Sequence, residues 1–189
     1  MDELRQFLRT QTRAAHERTE TAFAPFDLKT RGGYVAFLLA QARAILPMEA
    51  ALDAFGRATF SDWALRCRAP DLAADLATLG VAPPAGLEPP ELDGEAERFG
   101  AVYVLEGSHM GAKMLLKRLV TKGDPSCHGA TRFLRHGQGL ALWQGFLAEL
   151  AKAGSRISSI DAANGALKTF AFFEAAANTH SAISEEEAA

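Results

Sequence analysis

Two stretches of this chain have residue types and spacing suited to chemistry. One holds His16, in an N-terminal segment with helical periodicity. The other reads Tyr103, Val104, Leu105, Glu106, Gly107, Ser108, His109, Met110, Gly111, and is also periodic as a helix. Gly100 precedes Gly107 by seven residues, so Gly100, Gly107 and Gly111 fall near one stripe, with Tyr103 between them. A glycine inside a helix costs about 1 kcal/mol relative to alanine. Three on one stripe expose bare backbone that something can approach closely, either a neighbouring helix or a flat ligand. A neutral imidazole on one helix and bare backbone on another suit a haem held between them.

The neighbours of His16 fit that chemistry. Thr12 lies one turn before it and Glu20 one turn after. A carboxylate there would orient the ring and tune its basicity. Arg9 is two turns away at nearly the same azimuth, where its guanidinium would reach a carboxylate of the ligand. The plainer readings are a solvated face for Arg9 and Glu20, and a surface or core role for a lone helical histidine. His109 stands about 200° around the helix from Gly107 and Gly111, so it is expected to point away from the face they share. His128, His136 and His180 read as loop or surface positions, and no Glu-x-x-His pair points to a non-haem metal.

The combination resembles the bacterial haem oxygenases, including the phytochrome-associated type. That family carries Gly-Ser-x-(Leu or Met)-Gly on its distal helix, often after Tyr-Val-x-Glu, as residues 103–111 do here. Its first helix holds a pattern like Leu-Arg-x-x-Thr-Arg-x-x-His-x-x-x-Glu, matched by Leu8, Arg9, Thr12, Arg13, His16 and Glu20. The resemblance implies that His16 is the proximal iron ligand, with Glu20 beside it. Gly107 and Gly111 form the wall at which the chemistry happens. Arg9, Tyr103, Ser108, Arg132 and Lys168 are the implied contacts to haem and its propionates. The implied reaction opens haem b, both substrate and cofactor, with O₂ to biliverdin, Fe²⁺ and CO. No flavin or nicotinamide motif is visible, so electrons would come from a separate reductase or ferredoxin. A bacterial phytochrome is a possible acceptor of the biliverdin. The alternatives are a non-enzymatic haem or bilin carrier on the same scaffold, and a thiaminase-like hydrolase with a nucleophilic cysteine.

Composition bounds these readings. The chain has 189 residues, 48% of them hydrophobic, a net charge of −3 and a pI near 6.0. Nothing in that balance favours nucleic acid or an anionic membrane. Cys67 and Cys127 form no Cys-x-x-Cys or Cys-x-x-Cys-His motif, so a haem would be bound non-covalently. Free thiols and the lack of a signal-peptide pattern fit the cytoplasm. The longest apolar stretch, 34–46, contains Gln41 and Arg43 and reads as too short and too polar to span a bilayer.

The expected architecture is all-α: one multi-helix domain over 1–180 and an acidic, disordered tail over 181–189. Helices are expected at 2–22, at 30–55 with a kink at Pro47, and as short pieces within 61–79. Four prolines make 80–92 a loop. The helix with the glycines should run from a cap at Asp93 to about 120. Another covers 130–153, loosened by Gly137 and Gly139. The last, 158–178, opens with a capping box of Ser158 and Asp161.

Overall fold

The computed structural model describes the backbone of residues 3–187 and the side chains of residues 3–179. The helices are α1 (Glu3–Phe23), α2 (Arg31–Thr59), α3 (Trp63–Arg66), α4 (Ala69–Thr78), α5 (Gly94–Gly107), α6 (His109–Lys122), α7 (Arg132–Arg135), α8 (Leu142–Ala153) and α9 (Ser159–Glu187). A short 3-10 turn spans Pro125–Cys127, and no strand occurs among the described residues. Helix α9 continues past the expected end, and the side chains of 180–189, which include the acidic tail, lie outside the described residues. The serine half of the expected capping box is present: the Ser158 hydroxyl accepts the Asp161 N–H at 3.2 Å. Thr30 caps α2 by accepting the Gly33 N–H at 3.0 Å.

Helix α9 is the axis of the fold, with α5, α1 and α2 packed along it. Its inner face is built from small residues and phenylalanines: Ala162, Ala166, Phe170, Phe173 and Ala177 are all buried. Two glycines set the crossing with α5. A Cβ at Gly100 would collide with the Ala162 carbonyl oxygen, and one at Gly165 with the Glu97 carbonyl oxygen. Each helix therefore offers a bare spot to the backbone of the other. Gly100 belongs to this helix–helix contact, the neighbouring-helix reading of the glycine stripe, and does not share the surroundings of Gly107 and Gly111.

Helix α2 carries the core. Tyr34, Leu38, Ile45, Met48 and Leu52 are fully buried on it. By length and composition α2 could cross a membrane, but half of its most apolar window is buried inside the fold. It is longer than the 34–46 stretch that looked too short. Pro47 sits inside α2 and has no N–H for the Arg43 carbonyl, four residues earlier. The proline-rich loop supplies the missing donor: the Leu87 N–H reaches the Arg43 oxygen at 3.0 Å.

Two expected helices are divided. The helix expected over 130–153 is α7 and α8, because Gly137 (φ +69°) and Gly139 (φ +81°) adopt the left-handed region between them. The glycine helix is α5 and α6, separated at Ser108. Asp93 precedes α5 but makes no side-chain cap; Glu97 instead accepts the Asp93 N–H at 2.8 Å.

Candidate functional site

Helices α1 and α5 meet over α9 in a small apolar cluster of Ala15, Val104, Ala166 and Phe170, flanked by Tyr103 and Leu167. His16 follows Ala15 directly and meets Phe170 of this cluster, and Gly107 lies one turn beyond Tyr103 on α5. The His16 side chain is 58% exposed. Its ring meets Phe170 edge-on at 5.8 Å, and its Nδ1 lies 3.7 Å from Glu20 Oε2, too far for a hydrogen bond. Thr12 does not compete for the ring, since its hydroxyl donates to the Leu8 carbonyl at 2.8 Å.

The glycines of α5 and α6 face open space. A Cβ at Gly107 or Gly111 would meet no atom within 4 Å outside the helix itself. Met110 and Met114 flank them with 63% and 78% of their surface exposed. Polarizable, apolar side chains beside bare backbone suit a flat apolar ligand. Two titratable groups of this stretch turn away from that open space: Glu106 turns into the protein, and His109 faces His136 at 5.4 Å between ring centroids.

The opposite side of the same helix is heavily charged, and sequence reading missed it. Arg66 and Arg68 reach Glu106 and Ser108, so the two residues that bracket Gly107 are both held from behind. Arg66 Nη1 donates to Glu106 Oε1 at 2.8 Å and to the Leu142 carbonyl at 2.9 Å, and Arg66 also grips Asp62 through two hydrogen bonds. Arg68 Nη1 donates to Ser108 Oγ at 2.7 Å. Both oxygens of Glu49 accept backbone N–H groups, from Arg68 at 2.8 Å and Ala69 at 3.0 Å. Burial raises the Glu106 carboxyl, opposed by Arg66 and then Arg68. Burial also lowers the Arg68 guanidinium, opposed by Glu49 and Glu106. Arg68 Nη2, Glu106 Oε2 and His136 Nε2 are buried without a hydrogen-bond partner. An alternating Arg-x-Arg and Glu-x-Ser pattern was the available signal, but nothing local says that segments 40 residues apart meet.

The remaining predicted residues are placed as follows. Arg9 is exposed on α1, near enough to Tyr103 to act on its hydroxyl. Burial raises that hydroxyl, opposed by Thr12, Arg5 and Arg9, and the Tyr103 ring packs on Trp143 and Phe146. The Ser108 hydroxyl is engaged on the protein side, donating to the Leu105 carbonyl at 2.7 Å and accepting from Arg68. Arg132 opens α7, where Asp75 accepts its N–H at 3.0 Å; its side chain is exposed and α7 packs chiefly on α4 and α6. Lys168 is drawn to α5 and the loop before it, with Nζ 2.6 Å from Glu97 Oε2 and 3.1 Å from the Glu91 carbonyl. His109 turns from the open face, as the 200° offset requires, and burial among Arg68, His136 and Arg66 lowers its imidazole to about 3. His136 is not a surface residue: its ring is 9% exposed and bonds Asp71 at 2.8 Å. Burial, then Glu49 and Asp53, push the Cys67 thiol up to about 11, away from the thiolate form a nucleophile needs. No cluster of three metal-ligating side chains occurs among the described residues.

An all-α scaffold that seats a histidine helix and a bare-backbone helix on a common third helix is a distinctive class of protein. No protein-family model matches the chain. It is 34% identical over 114 residues to a curated protein named heme oxygenase from Xanthomonas campestris pv. campestris (strain 8004), spanning 60% of this chain and 68% of that one. Its fold is similar to the NO- and CO-bound heme oxygenase of Neisseria meningitidis, with a TM-score of 0.76 and 22% identity over 94% of this chain and 91% of the other. At that identity the structural likeness speaks for the fold. The chain belongs to the haem oxygenase family.

Proposed function

We propose that this chain is a haem-degrading oxygenase whose substrate lies between His16 on α1 and the open backbone at Gly107 and Gly111. The observation that carries the proposal is an exposed imidazole set against Phe170 of the apolar cluster, together with two glycines that face no atom within 4 Å. The residues fit haem. His16 offers an imidazole nitrogen to iron, Phe170 sets its ring, and Met110 and Met114 would cover the macrocycle. Arg9, exposed on α1 and near Tyr103, is a cation available to a propionate. Arg132, Lys168 and Ser108 are less suited, since the Lys168 amine and the Ser108 hydroxyl are engaged by the protein.

When bound, haem supplies the iron that activates O₂ and the ring carbon that is attacked. The chain supplies position. His16 ties the iron, and Glu20 stands close enough to orient the ring after a small movement. Gly107 and Gly111 keep bulk away from the reacting edge. Glu106 and His109, turned inward, keep acids off that face, so proton delivery falls to water in this reading. Biliverdin, CO and Fe²⁺ as products, electrons from a separate reductase or ferredoxin, biliverdin transfer to a phytochrome and a cytoplasmic setting complete the proposal.

Haemin titration followed by ascorbate or a reductase under O₂ tests it. The expected outcome is a Soret band that decays into the biliverdin spectrum with release of CO. A complex that persists through reduction and oxygenation would mark a carrier.

A further inference from the structure

We propose that Arg68 is a positioning residue for the ring-opening reaction: by holding the Ser108 hydroxyl it sets the break between α5 and α6, and with it the placement of the Gly107 and Gly111 backbone over the substrate. The inference rests on the haem oxygenase reading above.

Ser108 is the one residue between the two helices, serving as C-cap of α5 and N-cap of α6. Its hydroxyl donates to the Leu105 carbonyl at 2.7 Å. A free serine hydroxyl samples three staggered rotamers. Arg68 selects one of them by donating to the same oxygen at 2.7 Å.

Arg68 is itself held on several sides. Glu49 holds its backbone N–H and that of Ala69, its guanidinium lies over the Phe133 ring at 5.6 Å, and the residue is 4% exposed. Its Nη2 has no hydrogen-bond partner. The Arg68 charge also compensates the buried Glu49 carboxylate, with Nε 4.0 Å from Glu49 Oε1. At the break between α5 and α6, what only a long donor provides is the contact with Ser108. Arg66, two residues away, grips Glu106 in parallel, so the glycine between Glu106 and Ser108 is clamped from behind while its front stays bare.

The test uses Arg68→Met, Ser108→Ala, their double variant and Ser108→Thr, which keeps the hydroxyl. In the haem-free protein, amide exchange is followed at Ala112, whose N–H reaches the Ser108 carbonyl at 3.4 Å. Exchange should rise about threefold or more in both single variants and no further in the double, because the two act through one contact. With haem loaded, biliverdin formed per electron consumed should fall about fivefold in the same three variants, while haemin affinity stays within about threefold. Ser108→Thr should restore both readouts. Additive effects in the double variant, or wild-type exchange and coupling in Ser108→Ala, would overturn the proposal. Should Arg68→Met fail to fold, Ser108→Ala against Ser108→Thr decides. If the wild type makes no biliverdin, the functional reading fails, and the haem-free exchange still decides whether Arg68 sets the break.

Discussion

The His16 imidazole meets the Phe170 ring edge-on at 5.8 Å, so an exposed residue of α1 is oriented by a buried residue of α9. Among the described residues no hydrogen bond holds the ring, with Glu20 Oε2 3.7 Å from Nδ1. His16→Ala should leave folding stability within about 0.5 kcal/mol of wild type, as for other exposed substitutions. It should abolish the histidine-ligated Soret spectrum and biliverdin formation. An unchanged spectrum and turnover in haemin titrations would place the iron ligand elsewhere.

The glycines of α5 and α6 divide by what they face, and their alanine variants should divide the same way. Gly107→Ala and Gly111→Ala enter open space and should raise haem-free stability by up to about 1 kcal/mol. Gly100→Ala drives a methyl group into the Ala162 carbonyl and should cost about 1–3 kcal/mol or more. Denaturant titration reads both. Gly111→Leu should bind haemin yet yield little biliverdin. A Gly100→Ala protein as stable as wild type, or a Gly111→Leu protein with wild-type turnover, would refute this division.

Arg66→Met strands the buried Glu106 carboxylate, and breaking a buried pair from one side typically costs about 3–5 kcal/mol. Adding Glu106→Gln should recover much of that loss, because the charge is then gone. Urea unfolding of the single and double variants measures the difference. A double variant no better than Arg66→Met would mean that the loss comes from the Asp62 or Leu142 contacts instead.

His109 makes stability depend on pH. Its folded-state value of about 3 lies below the ordinary 6.5, so the unfolded chain binds a proton more readily than the fold does. The His109 contribution to stability is therefore full above about pH 6.5 and is lost progressively as pH falls toward 3, at up to about 1.4 kcal/mol per pH unit. His109→Gln should flatten the fall in unfolding free energy between pH 7 and pH 5. Parallel slopes for the two proteins would assign the acid sensitivity to other groups.

The helices were legible because α1 and α9 have long periodic faces, and the Ser158 and Thr30 caps sit where local chemistry demands them. His16 and the open pair Gly107 and Gly111 were legible through motif spacing. The role of Gly100 was not, since its stripe is the same and only the arrival of α9 separates it from the other two. The break at Ser108 was hidden because a serine between two glycines reads as weak helix, while the break is formed by an arginine 40 residues away. Arg66, Arg68 and Glu49 lie in segments whose charges look solvated until α2, α3 and α5 come together. Lys168 was expected near the ligand; its position on α9 was right, but Glu97 on α5 competes for its amine.

The Leu87 N–H on the Arg43 carbonyl makes the loop a splint for α2. A helix interrupted by proline is usually completed by water or by a bend. Here a strand of chain between α4 and α5 completes it, with Gly86 against the Pro47 ring and Arg43 Nη1 returning a bond to the Ala85 carbonyl at 3.3 Å. The middle of α2 and residues 85–87 are therefore tied together by two hydrogen bonds, although some 40 positions separate them in the chain. A protease that cuts inside this segment would not trim a spacer; it would open the central helix of the core.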